Sequence, residues 1–237
     1  MKQFVIIGLG IFGRRMVDEL TKFHAEVMII DQDESLTNQY KDKVSAVYIA
    51  NAFQEEVIRK LVPDTIDAAI IDLGKQIEVS SLVTNYLKKI GVKNIIARAE
   101  SNEHGEILQM LGATQVIFPA KEAAQRITPM LVSSDLFNYL PISQGLVMAE
   151  IRVPKELQGK TLIESGIRNS FNVNVIAVRK DEEDFEFASG NHRLAPYDIL
   201  LAVGKEQDLI NLSGIQVTGK KRNGLNLFKA LFSRRGK

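Results

Sequence analysis

The sequence predicts an α/β fold, with a doubly wound parallel sheet followed by a second, smaller α+β domain. Three observations carry that expectation. Short apolar runs recur at residues 4–7, 27–30, 46–49, 68–71, 94–97 and 115–118. Segments of helical period lie between them, with Phe12, Met16, Val17, Leu20 and Phe23 on one face and Val79, Leu82, Val83, Tyr86, Leu87 and Ile90 on another. After Pro141 the pattern changes to alternating strands and charged turns. Strands that are apolar on both sides must be covered on both, as in a parallel sheet with helices above and below.

The elements follow in order. The first apolar run opens into Gly8-x-Gly10-x-x-Gly13, a helix, and a second strand that ends in the acid Asp31. Strand and helix then alternate to residue 118. Pro119 opens a helix over 120–131, because proline lacks the N–H that a first turn leaves unpaired anyway. Phe137, Tyr139 and Leu140 make a short apolar segment before Pro141. Beyond it, 145–153 alternates like a half-buried strand, 161–168 is a short helix, and 173–179 is a strand. A charged hairpin tip at 180–184, strands at 185–188 and 198–203 and a helix at 205–212 complete the second domain. The domains are accordingly 1–140 and 141–214, with a basic tail at 215–237.

Composition sets the outer bounds. The 237 residues are 45% hydrophobic and 25% charged, as in ordinary globular proteins. A net charge of +1 gives no reason to expect nucleic acid as a partner. With no cysteine, disulfides and thiolate metal sites are excluded. The first strand begins too early to leave room for a signal peptide, and no apolar run reaches the ~18 residues of a membrane span. A cytoplasmic protein is expected. Lys220, Lys221, Arg222, Lys229, Arg234, Arg235 and Lys237 make the tail basic, and Leu225, Leu227, Phe228, Leu231 and Phe232 fall roughly on one helical face. The tail reads either as a solvated terminus or as an amphipathic segment that touches anionic lipid or a membrane partner.

The strand, glycine turn, helix, strand and acid arrive in the order that holds an adenosine nucleotide. Gly8 permits a tight turn, Gly10 lets the backbone approach a phosphate, and Gly13 lets helix and strand pack closely. The helix offers unpaired N–H groups and a positive dipole end to the anion. Asp31 is placed for the ribose hydroxyls, while Asp33 is equally a helix cap. Asn51 is either a base or ribose contact or a turn amide. Asp72 and Gly74 end the fourth strand, on the edge where open α/β sheets bind ligands. Arg98 follows the fifth strand as a phosphate ligand or a surface ion pair. Arg14 and Arg15 oppose the helix dipole beside the phosphate site, which hints at an anion or partner nearby. His24, His104 and His192 are scattered, so no metal site is expected, and no catalytic motif is present. A binding module is favoured over an enzyme.

Taken together, the motifs resemble a known family over residues 1 to about 212. They are I-G-L-G-x-F-G at 7–13, I-D-x-D around Asp31, A-N-A at 50–52, R-A at Arg98 and L-G-A-x-x-V-I-F-P at 111–119. The chain resembles the TrkA/KtrA-type gating subunits of bacterial potassium uptake systems, built from the domain that regulates potassium conductance. The resemblance implies a Rossmann-like domain that binds ATP, ADP or NAD(H). The implied contacts are Gly8, Gly10, Ile11, Phe12, Gly13, Asp31, Gln32, Asn51, Ala52, Asp72, Leu73, Gly74 and Arg98. It also implies a homodimer formed through the helix after Pro119, assembled into an octameric ring beneath a membrane potassium channel or transporter of the TrkH/KtrB type. Such a subunit is peripheral to the inner face of the plasma membrane. In some members the small domain binds cyclic di-AMP, which points to Arg168, Asn169, Asn174, Ile176 and Pro196; ordinary dimer packing and turns account for these residues better.

Two positions depart from the family pattern. ATP-discriminating members have arginine where this chain has Ile11, and an acid that joins a divalent cation where it has Ala120; Glu122 lies on a different helical face. ADP, AMP or NAD(H) is then as well suited as ATP. The expected function is a non-enzymatic nucleotide-controlled regulator. The alternative is a small NAD-dependent dehydrogenase or siroheme-type oxidoreductase, for which no proton donor stands out.

Overall fold

The computed structural model describes residues 1–143, 145–181 and 183–214, and the basic tail lies outside the described residues. The chain divides into two compact units after Glu122. The first contains β1 (Gln3–Ile7), α1 (Ile11–Lys22), β2 (Glu26–Asp31), α2 (Glu34–Asn38), β3 (Ala46–Ile49), α3 (Glu55–Leu61), β4 (Ala68–Ile71), α4 (Ile77–Ile90), β5 (Ile95–Arg98), α5 (Asn102–Leu111) and β6 (Gln115–Ile117). Helix α6 (Pro119–Val132) spans the division.

The six strands pair in parallel in the order β3-β2-β1-β4-β5-β6. Their side chains alternate between two apolar layers. Val5, Ile7, Ala69 and Ile71 pack into one cluster with α4 residues Val83 and Leu87. Ile6, Ile29 and Ile70 pack on the other side with Val17 of α1. Burial on both faces is why these runs read as continuously apolar. Phe23, expected on the buried face of α1, is 80% exposed. It is the residue after the helix, and its N–H bonds back to Leu20 and Thr21. The helix ends before its face turns round to the core at that position.

Helices α4 and α5 are joined by a buried polar link. The Glu100 N–H donates to His104 Nδ1 at 3.2 Å, which leaves the proton on Nε2, 2.9 Å from Ser80 Oγ. Ser80 Oγ in turn donates to the Ile77 carbonyl at 2.9 Å. His104 is buried and its pKa is lowered, chiefly by loss of solvent.

The second unit holds β7 (Leu136–Ser143), β8 (Leu146–Arg152), α7 (Leu162–Ser165), α8 (Ile167–Phe171), β9 (Asn174–Lys180), β10 (Glu186–Phe187), β11 (Asp198–Lys205) and α9 (Glu206–Leu212). Its sheet is antiparallel, in the order β10-β9-β11-β8-β7. Val147, Ala149 and Ile151 alternate inward from β8 onto Leu209 and Leu212 of α9. The segment at 137–140, read as preceding the second domain, is part of β7 and pairs with β8. Strand β7 runs through Pro141 because it lies on the sheet edge, where a missing N–H breaks no ladder bond. The single helix expected at 161–168 is two. Gly166, at φ +60°, ends α7 in the left-handed conformation and α8 starts anew.

His104 sets an acid limit on stability. Its folded pKa lies below its ordinary 6.5, so protonation favours the unfolded chain. The stabilisation is complete above that value and is lost as pH falls below it. The melting temperature should hold above about pH 7 and drop toward pH 5. In His104→Gln this step should vanish, while the separate loss below about pH 4.5 remains, because hydrogen bonds lower the carboxyls of Glu55, Asp67, Glu103 and Glu164. Melting curves of both proteins from pH 4 to 8 decide it.

Candidate functional site

Strand order reverses at β1, which has β2 on one side and β4 on the other. The connections leave on opposite faces there, and a crevice opens beyond the carboxyl ends of the strands. A cleft of about 270 Å³ occupies this point. Gly8 and Gly10, Asp31 and Gln32, Asn51 and Ala52, and Asp72, Leu73 and Gly74 all line it. Four chain segments distant in sequence thus meet at one place.

The glycine turn is shaped by Asp72, whose side chain is fully buried. A Cβ on Gly8 would lie 2.2 Å from the Asp72 carbonyl oxygen, and one on Gly10 would lie 2.2 Å from Asp72 Oδ2. A Cβ on Gly13 would lie 2.4 Å from the carbonyl of Gly8. Gly8 also sits at φ +90°. Asp72 Oδ2 accepts the Gly13 N–H at 2.8 Å, one of the first-turn donors that a helix cannot satisfy itself. The approach that sequence reasoning assigned to a phosphate at Gly10 is therefore also a requirement of the protein's own carboxylate.

Asp31 closes the other side. Its Oδ2 accepts the Leu9 N–H at 2.5 Å and its Oδ1 the Asp33 N–H at 2.8 Å. A carboxylate has about four acceptor positions, so two remain for hydroxyl groups. With Leu9 and Gly13 engaged, the turn amides of Gly10, Ile11 and Phe12 have no backbone or side-chain acceptor among the described residues. Three amides at a helix N-terminus beside a hydroxyl acceptor suit a sugar linked to a phosphate. Asp33 caps α2 by accepting from the Leu36 N–H at 3.0 Å. Asn51 forms a turn, with Oδ1 accepting from the Phe53 N–H at 3.0 Å, while it lines the cleft.

Four expected residues do not line the cleft. Ile11 is 78% exposed and faces a separate hollow with Arg14 and Tyr40. Phe12 packs on the β1–β2 layer, and Gly13 is buried beneath the turn. Arg98, read as a phosphate ligand or a surface ion pair, bonds Asp72 Oδ1 at 3.1 Å and Glu100 Oε1 at 2.8 Å. Two carboxylates within reach make an ion pair the better use of its charge, and it neutralises the buried Asp72. Residues missed include Leu9, Ile30, Leu36, Gln76 and Val79, which line the same cleft. Leu9 was findable as the spacer between two glycines; Leu36 and Val79 were hidden because apolar helix residues read as core.

Glu122 does not extend toward a shared ion, since its Oε1 accepts the Phe118 N–H at 3.0 Å and caps α6. Among the described residues no three histidines or acids converge as a metal-holding group. In the second unit, a groove of about 390 Å³ is lined by Arg168, Asn169 and Asn174 together with Gly166 and Val173. Ile176 and Pro196 lie outside it.

The TrkA-N domain model matches residues 4–119 and the TrkA-C domain model residues 147–215. The Ktr system potassium uptake protein C of Bacillus subtilis (strain 168) is 31% identical over 208 residues, which is 88% of this chain and 94% of that protein. The chain belongs to the TrkA family. Among solved structures, the GsuK RCK domain superposes with a TM-score of 0.62 at 20% identity, over 90% of this chain and 47% of that one. The GsuK channel bound to NAD gives 0.60 at 19% identity, over 90% and 39%. This chain thus spans less than half of each solved chain. At such identities these two establish the fold, a parallel Rossmann-like sheet with a smaller antiparallel domain.

The contact between glycine and carboxylate in this TrkA-family chain is open to test. Gly10→Ala should lower unfolding free energy by about 2–3 kcal/mol, because Asp72 is held from several sides and cannot withdraw. Gly74→Ala, at φ +60° with open space around it, should lose about 1 kcal/mol from backbone strain alone. Combining Gly10→Ala with Asp72→Ala should lose less than the two single changes added together. Urea titrations of the four variants measure these values, and strict additivity would contradict the contact.

Proposed function

We propose that this chain is a non-enzymatic regulatory subunit of a bacterial potassium uptake system, set by an adenine nucleotide in the β1/β4 cleft. The observation that carries the reading is the group of three unbonded turn amides beside Asp31 at the topological switch point. The likeness to a potassium uptake protein over 94% of that protein's length supports the transport role. The shared fold with a channel bound to NAD supports a nucleotide as the ligand. ADP, ATP and NAD(H) all present the ribose and phosphate that the cleft suits.

The membrane partner in this reading is a TrkH/KtrB-type channel or transporter. Among the described residues no helix is long and apolar enough to cross a membrane, which accords with a partner that supplies the pore. The subunit would work in the cytoplasm against the inner face of the plasma membrane. Exposed Ile127, Leu131 and Val132 on α6, at 47, 81 and 65%, support dimerisation through that helix and assembly into an octameric ring. Regulation follows if nucleotide binds two ring shapes unequally; a coupling of about 1–3 kcal/mol is typical. Arg168, Asn169 and Asn174 line the groove in the second unit, and a cation with two amides there supports cyclic di-AMP as its ligand.

Thermal shift and calorimetry against AMP, ADP, ATP, NAD, NADH and cyclic di-AMP test the reading. Asp31→Ala should weaken the mononucleotides and NAD about tenfold or more, from loss of charge-assisted hydroxyl contacts. Cyclic di-AMP should be unaffected by that change. Elution as a monomer with and without nucleotide would overturn the ring. NADH consumption with any of a metabolite panel would favour the oxidoreductase instead.

A further inference from the structure

Strand β10 ends the second sheet on one side and has no strand beyond it among the described residues. The Ala188 N–H donates to the Ile176 carbonyl at 2.9 Å. By the alternation of an antiparallel ladder, the N–H and carbonyl of Phe187 then turn to the open edge. Phe187 is 90% exposed, and Tyr197, whose carbonyl accepts the Asp181 N–H at the foot of this hairpin, is 70% exposed. Asp181, Glu183, Asp184 and Glu186 are exposed around these rings. None of the four has an ion-pair partner among the described residues. Arg179, the cation that precedes them on β9, is committed to Glu150 at 3.3 Å and to the face of Phe185 at 5.2 Å. Free backbone groups beside an exposed aromatic make such an edge a template for another extended segment.

The segment that answers this edge belongs to the chain itself. Residues 220–237 hold seven cations and no acid, with Leu225, Leu227, Phe228, Leu231 and Phe232 among them. They lie outside the described residues and beyond the TrkA-C match, which ends at residue 215. Acids and exposed aromatics on the edge thus meet cations and apolar side chains on the tail. The chain is long enough to bring them together. Strand β11 starts beside the hairpin, where Asp198 is in register with Lys180. From there β11 and α9 carry the chain about 35 Å at most. The segment from Gly214 to Leu227 alone extends to about 45 Å. Tethering on one chain sets an effective concentration of the order of millimolar, at which weak contacts suffice.

We infer that the basic tail at 220–237 docks on the β10 edge of its own second unit. Its cations face Asp181, Glu183, Asp184 and Glu186, and its apolar side chains cover Phe187 and Tyr197. Exposed ion pairs are each weak, so several pairs and the aromatic contact act together. Anionic lipid offers the same charge without the tether. Ala188, next to Phe187, lines the groove of the second unit, so a docked tail borders that groove.

The chain has no tryptophan, so Phe187→Trp in the full chain reports on this edge alone. With the native tail the indole should be shielded from acrylamide. Three exposed pairs shift docking by about tenfold, so quenching should rise toward that of free tryptophan in K229E/R234E/R235E. It should rise equally in E183K/D184K/E186K. Combining the two sets exchanges the signs and restores the match, and should return quenching to the native level. Salt at about 1 M should raise quenching with the native tail, because charges are then screened beyond about 3 Å. Equal quenching in all four chains would overturn the docking. Shielding that is lost on dilution would also overturn it, since a second copy would then be the occupant. If vesicles of phosphatidylserine and phosphatidylcholine bind through 220–237 while the indole is equally exposed in all four chains, the tail serves lipid and the inference fails.

Discussion

The first unit depends on the buried carboxylate of Asp72. It lies under the glycine turn, bonds the Gly13 amide, and holds the Arg98 guanidinium across from it. Each of these contacts constrains a different segment. The amide bond fixes the start of α1, the ion pair fixes the end of β5, and the close packing excludes any side chain at Gly8 or Gly10. A fully buried acid is unfavourable without partners, so turn, helix and strand end must come together for Asp72 to be tolerated. The cleft is the space left above that arrangement.

The same carboxylate gives the site its electrostatic character. Asp31 and Asp72 each take one amide from the turn and leave the three between them for a ligand. The acids orient those donors, and they also oppose an incoming anion. Arg98 pairs with Asp72 and with Glu100. Arg14 and Arg15 line a separate hollow beyond Ile11.

The second unit is organised around different constraints. Strand β11 is central, with β8 and β9 on its two sides. At its first residue the buried Asp198 accepts from the Ala195 N–H at 2.9 Å and pairs with His192 Nε2 at 2.7 Å, tying the preceding turn to the sheet. Gly166 breaks the helical segment into α7 and α8, and that break opens the groove beside Arg168. A continuous helix over the same residues would have carried Arg168 and Asn169 to other directions.

By itself the sequence determined the layers, the glycine turn and the acid after β2. Two-sided burial, helical period and glycine geometry are local properties of the chain, and a residue's neighbours in sequence suffice to express them. It also put Asp31, Asn51 and Asp72 after strands that end on one edge, because parallel strands share that edge, while the strand order that opens the cleft came from the structure. What only the tertiary structure decided were the partners of long, charged side chains and the roles of residues at element ends. Arg98 is legible as a cation on the ligand edge, yet whether it meets a phosphate or Asp72 depends on a residue 26 positions away. Pro141 reads as a terminator, but an edge position lets β7 continue through it. Phe23 reads as core, but the helix stops before its side chain reaches the sheet. The physical reason is common to all three: period and propensity act within a few residues, whereas ion pairing, edge position and burial are settled by which distant segments share the same space.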